Sequence, residues 1–272
     1  MSFAGLVPVM ALAERAGLSE LISTKVAIKA TRVKSAAANP AGKLTSIIAG
    51  MVAGADSIDD LDVIRSGGMP RLFGGVYACA TLGQFLREFT HGHTRQLASV
   101  ARAHLVNLVG HSGLLPGIEQ QAYVDIDSLL RPVYGHAKQG ASFGHTKIAG
   151  RQVLRRGLSP LATTISTVEG APVLAGIRLR AGRAGSGKGA ASMVREAIGT
   201  ARAAGATGEL LVRGDSAYGN SAVAGACVRA GARFSLVLTK NPAVNRAIAS
   251  IPEQDWTPVR YPGAVTDPDT DE

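Results

Sequence analysis

Three aspartates carry the chemistry this sequence offers. Asp125 and Asp127 lie in Ala122-Tyr-Val-Asp-Ile-Asp-Ser-Leu129, where β-branched Val124 and Ile126 read as a strand. A strand sends alternate side chains to opposite faces, so the two carboxylates project together. Carboxylates on one face repel unless a proton or a cation neutralises them. Oxygen-only donor sets suit hard cations such as magnesium or manganese. A lone Asp-x-Asp also describes a solvated turn, so the pair needs a partner from elsewhere. Asp215 is that partner. It follows the strand pattern at 209–213 and Gly214, at a carboxyl end, where open α/β sheets place their sites.

The elements around these residues decide whether they meet. Strands are expected at 123–127, 161–168 and 172–179, with Glu169-Gly170 turning the second into the third. A helix at 190–204, a strand at 209–213, a helix at 221–230 and a strand at 233–238 follow. Strand, strand, strand, helix, strand, helix, strand is the order of an RNase H-like mixed sheet with flanking helices. Its first and fourth strands are neighbours, so Asp127 and Asp215 should converge. Residues 1–115 read as an all-helical, DNA-binding region preceding this core, with the core at 120–250 and an irregular acidic tail at 251–272. Ser57-Ile-Asp-Asp60 and Thr81-Leu-Gly-Gln84 fit the capping-box pattern of a helix start. Residues 131–157 are polar and glycine-rich and read as a loop with one irregular strand at most.

Composition narrows the partners. The 272 residues carry 29 Lys+Arg against 20 Asp+Glu, a formal charge of +9, with a pI near 9.9. A chain this basic meets polyanions, nucleic acid first. Lys138, Lys147, Arg151, Arg155 and Arg156 in the basic 131–157 stretch are the candidates for DNA phosphates, with His136 and His145 beside them. Trp256 and Tyr261 could stack on bases, though packing is their commoner role. Two distant cysteines, Cys79 and Cys227, form no disulfide framework and suit a reducing cytoplasm. No uncharged apolar run reaches membrane-spanning length. One motif points elsewhere. Gly182-Arg-Ala-Gly-Ser-Gly-Lys188 has the frame of a phosphate-binding P-loop. Position 189 is glycine, so the magnesium-ligating hydroxyl is missing, and no bound nucleotide is expected.

Val124-Asp-Ile-Asp-Ser128, Gly135-His-Ala-Lys-Gln-Gly140, Val212-Arg-Gly-Asp-Ser-Ala-Tyr218 and Leu238-Thr-Lys-Asn241 together resemble bacterial insertion-sequence transposases of the DDE type. The likeness covers nearly the whole chain. It implies an RNase H-like catalytic domain, two magnesium or manganese ions, and cutting and joining of double-stranded DNA, with a homodimer as one arrangement. Asp127 fits the first acidic position best, with Leu129 where a threonine is expected, and Asp125 remains a contender. Asp215 fits the second. The third position, a glutamate on a later helix, has no match, with Glu253 the nearest candidate. The expectation is therefore a C-terminally truncated copy that does not cut DNA by itself. The alternatives are a non-catalytic DNA-binding fragment that inhibits a full-length copy, and the nucleotide hydrolase the glycine-rich loop suggests.

Overall fold

A computed structural model describes residues 3–28, 37–66, 76–135 and 138–257, with the side chains of Lys147 and Ile148 excepted. Residues 1–237 form one compact unit and residues 238–272 a second.

The first unit begins with helices α1 (Leu6–Arg15), α2 (Leu18–Lys25) and α3 (Pro40–Val52), a 3-10 helix (Asp59–Arg65), α4 (Cys79–Arg87) and α5 (His91–His111). Met10, Ile22, Leu44, Ile64, Phe85 and Val100 build their shared core. Local chemistry sets the helix starts. Asn39 caps α3 through a bond from the Gly42 amide, and Pro40 supplies its first turn. The Ser57 amide donates to Asp60 at 2.8 Å, and the Asp60 amide reaches back to the Ser57 hydroxyl at 3.4 Å. Thr81, in contrast, lies inside α4, because that helix starts earlier, at Cys79. A second reciprocal cap opens α5, where the Thr90 amide donates to His93 Nδ1 at 3.0 Å. Histidine stands where the capping pattern expects Glu or Gln, which hides the signal.

A five-stranded sheet follows. Its strands are β1 (Gln121–Ser128), β5 (Leu161–Ser166), β6 (Val173–Arg178), β7 (Glu209–Gly214) and β8 (Arg233–Leu236), in the order β6-β5-β1-β7-β8. β1 runs antiparallel to β5 and parallel to β7, and β7 is parallel to β8. This is the mixed RNase H-like sheet expected from the sequence. Ala122, Val124 and Ile126 of β1 and Leu210 and Val212 of β7 are buried with Met193, Val194, Ala197 and Ala201 of helix α6 (Ala190–Ala203). Helix α7 (Ser221–Arg229) completes that layer. The alternate positions of β1, including Asp125 and Asp127, are turned away from this core.

Glu196 of α6 ties the helical region to the sheet. Its carboxylate receives Arg95 and Arg102 of α5 at 2.7 and 2.9 Å, and Arg178 of β6 at 3.0 Å.

Residues 131–157 differ from expectation. They form β2 (Arg131–Pro132), β3 (Ser142–Ile148) and β4 (Arg151–Leu158), a separate sheet of order β2-β4-β3. Ala149 and Gly150, both at positive φ, make the two-residue turn between β3 and β4, the arrangement that matches strand twist in a hairpin. The pattern is invisible in sequence because Arg151–Arg155 buries neither face, so no apolar alternation marks it. At the ribbon's base three backbones crowd together. A side chain at Gly144 would strike the Gly182 carbonyl, and one at Gly182 would strike the carbonyls of Ser142 and Gly157.

In the second unit, Asn241 caps helix α8 (Pro242–Ala249) by accepting from the Ala243 and Val244 amides, and no residue of α8 is buried. Among the described residues no helix is long and apolar enough to cross a membrane.

Candidate active site at the ends of two parallel strands

Register brings two of the three aspartates to one place. Ile126 of β1 pairs with Gly214 of β7, so the next residues, Asp127 and Asp215, leave the paired strands at the same level. Neighbouring strands lie about 4.8 Å apart. Both carboxylates also act on Tyr218. Burial pushes its phenol up first, and the charges of Asp127 and Asp215 add to the rise.

Each of these acids keeps an open oxygen. Asp127 Oδ1 accepts from the Ser128 amide at 2.6 Å, and Asp215 Oδ1 accepts from the Ala217 amide at 2.9 Å. Their Oδ2 atoms have no partner among the described residues. Asp125 is different. Its Cα partner is Arg213, whose Nε and Nη2 donate to the two carboxylate oxygens at 2.7 and 2.8 Å. Such a bidentate pair is a strong charge-assisted contact. The guanidinium also lies 4.4 Å from the centre of the Tyr123 ring. Asp125 therefore shares a face with Asp127 but has its charge matched within the strands.

Glycine before the second acid has a packing reason. A Cβ at Gly214 would sit 3.1 Å from Tyr218 Cβ and 3.2 Å from Ile126 and Leu236 methyls. Tyr218, only 1% exposed, occupies that space. Its hydroxyl approaches Ser128 yet makes no hydrogen bond of good geometry.

The donor set suits one hard cation. Two open carboxylate oxygens on adjacent strands offer the charge and hardness that magnesium or manganese prefer. Among the described residues no group of three His, Cys, Asp or Glu forms a metal cage. Glu196 is committed to three arginines, and Glu209 pairs with Arg233 at the opposite end of β7.

The basic candidates lie on the β2-β4-β3 sheet and the turn leading to it. No acid occurs between Asp127 and Glu169, a stretch holding six Lys or Arg. Register puts Arg151 and Arg155 on one face of the ribbon and Arg156 on the other, where it donates to the Gly135 carbonyl at 2.6 Å. Lys138 is exposed, as is His145. The Lys147 side chain, His136 and Tyr261 lie outside what the structure describes, and Trp256 is about half exposed.

The glycine-rich loop is built around a cation. Arg180 Nη1 donates to the carbonyls of Gly185, Ser186 and Lys188, and Nε to that of Ser159. A phosphate cradle turns backbone N–H groups inward. Here the carbonyls point inward, onto a guanidinium that is 8% exposed. The loop also follows the antiparallel β5–β6 hairpin. Sequence reasoning missed Arg180, whose only signal is an arginine just outside a glycine run.

A family model described as transposase DDE domain group 1 matches residues 1–264. The chain belongs to the DDE transposases. No match was found among curated proteins. DNA is the substrate that membership in this family implies, and divalent metals are its general cofactors. The transposase shows the mixed sheet expected of its family, with Asp127 and Asp215 at the carboxyl ends of its central parallel pair.

Proposed function

We propose that this protein is the transposase of a bacterial insertion sequence, and that Asp127 and Asp215 hold its divalent cation while Asp125 serves as a strand clamp. The observation that carries the reading is the β1–β7 register, which delivers two acids with open oxygens to one edge. A cation held there would polarise phosphodiester oxygens and lower the pKa of a bound water. The chain's own part is positioning. The Ser128 and Ala217 amides each fix one oxygen of an aspartate, leaving the other to face outward. Arg213 keeps Asp125 from competing for the cation. Arg151 and Arg155, on one face of the β3–β4 ribbon, with Lys138 at its approach, neutralise backbone phosphates. A two-stranded ribbon is also a shape the major groove admits.

A DNA-binding role without cleavage is the second reading, favoured by the lack of a third acid in the cluster among the described residues. Two-metal phosphoryl transfer clamps both the attacking and the leaving oxygen, and two carboxylates hold one ion. One experiment tests both readings. Purified protein is incubated with supercoiled plasmid and manganese, beside Asp215→Asn. Manganese binding and salt-sensitive plasmid binding without nicking support the one-cation account. Nicking that is lost in Asp215→Asn identifies a further acid that completes the site.

A further inference from the structure

A cleft of about 370 Å³ runs between the N-terminal half of α5 and the end of β6. It is lined by Arg95, Arg178, Arg180 and His91, and no carboxylate lines it. Glu196, which does not line it, is shared by the guanidiniums of Arg95, Arg102 and Arg178. Three cations face one anion, so positive charge is in excess. Arg95 spends a single nitrogen on Glu196, and its remaining donors have no partner among the described residues. Its side chain is 38% exposed, so a ligand can reach it. Arg180 is buried among carbonyls and one serine hydroxyl, with no carboxylate partner. A buried charge lacking a counter-ion is costly, and an anion in the cleft would offset that cost. Burial lowers the Arg178 pKa first, the charges of Arg95 and Arg102 lower it further, and Glu196 opposes them. The positive end of the α5 macrodipole adds to the field. Phe89, Ile177 and Leu179 supply an apolar wall.

We propose that this cleft is a phosphate-binding site, taking a phosphomonoester or phosphodiester group against Arg95 in the field of Arg178 and Arg180. The register relates it to the aspartates. Asp127 pairs with Ala162, and Ala162 pairs with Ile177. Ile177 therefore lies two strand spacings from Asp127, about 10 Å. A nucleic-acid strand lying over the acids could place a neighbouring phosphate in the cleft. That DNA assignment rests on the transposase reading above, whereas the phosphate chemistry does not.

The test uses the full chain and two substitutions at accessible positions, Arg95→Gln and Gln139→Glu. Inorganic phosphate and 5′-dAMP are titrated calorimetrically at constant ionic strength, and duplex DNA binding is followed across a salt series. Thermal melting checks that both variants fold. The expected result is saturable phosphate binding that weakens at least fivefold in each variant. If DNA supplies the phosphate, Arg95→Gln also lowers the salt slope of DNA binding by about 1. If a free nucleotide supplies it, dAMP binding falls and DNA binding is unchanged, which still establishes the site. Phosphate and dAMP that do not saturate in wild type, or that bind folded variants and wild type alike, would overturn the proposal. A wild type that binds phosphate but no DNA would sink the transposase reading and leave the cleft standing.

Discussion

The central sheet and the β3–β4 ribbon are built from strands of similar length, and they obey different rules. In β1, every second residue from Ala122 to Ile126 is buried against α6, and the polar residues between them are pushed to the far face. In β4, Arg151 through Arg155 are exposed on both faces, and only Gly157 near its end is buried. Burial writes a period into a sequence, and exposure for a partner does not. The sheet is held by its own core. The ribbon is held at its base, where Gly144, Gly157 and Gly182 let three backbones touch, and an isolated two-stranded hairpin is marginal in water. Its exposed Phe143, Leu154 and Arg155 thus have no role in a core.

Truncation mutants give the largest contrast. Ile165→Ala, at a fully buried position of β5, should cost roughly 2–5 kcal/mol in chemical denaturation. Leu154→Ala on the ribbon, 57% exposed, should change stability by less than about 0.5 kcal/mol. Comparable losses would mean the ribbon has a core of its own. Breaking the charge cluster that joins α5 to the sheet comes next. Glu196→Ala leaves three guanidiniums facing one another and should cost about 2 kcal/mol, since the group is partly exposed and its loss leaves unpaired charge. Gly214→Ala should cost about 1–3 kcal/mol by crowding Tyr218.

Smaller effects sharpen the ribbon's side of the contrast. Arg151→Ala with Arg155→Ala should leave the melting temperature unchanged while lowering the salt slope of DNA binding by about 2. An unchanged slope would remove the ribbon from the DNA interface. The smallest effect concerns pH. Burial holds the Tyr218 phenol above its usual value near 10. A raised folded-state pKa gives stability that is full below the unfolded value and is lost as pH rises through the folded one. Wild type should therefore lose stability above about pH 10, and Tyr218→Phe should lose less, as read from melting curves at pH 9 and 11.

Much of this fold is legible in the sequence. Val124 and Ile126 announced β1, and the order of strands and helices placed β7 beside it, so the meeting of Asp127 and Asp215 followed from topology. What stayed hidden depends on register or on backbone direction. Arg213 faces Asp125 because the parallel pairing aligns them, and no local pattern states that. The Gly182–Lys188 run matched a phosphate loop because glycine spacing says nothing about which way carbonyls turn. Arg180 decides that direction from outside the motif. The α5 cap was missed because His93 does the work usually left to a glutamate.

On the proposed reading, two aspartates of one strand face divide the labour, Asp125 as a clamp and Asp127 as a ligand. Manganese binding measured by electron paramagnetic resonance on wild type, Asp125→Asn, Asp127→Asn and Asp215→Asn tests it most directly. Asp127→Asn and Asp215→Asn should each lose binding by tenfold or more, whereas Asp125→Asn stays within about twofold of wild type, differences of about 1.4 kcal/mol or more against less than about 0.5 kcal/mol. Loss of manganese in Asp125→Asn equal to that in Asp127→Asn would contradict it.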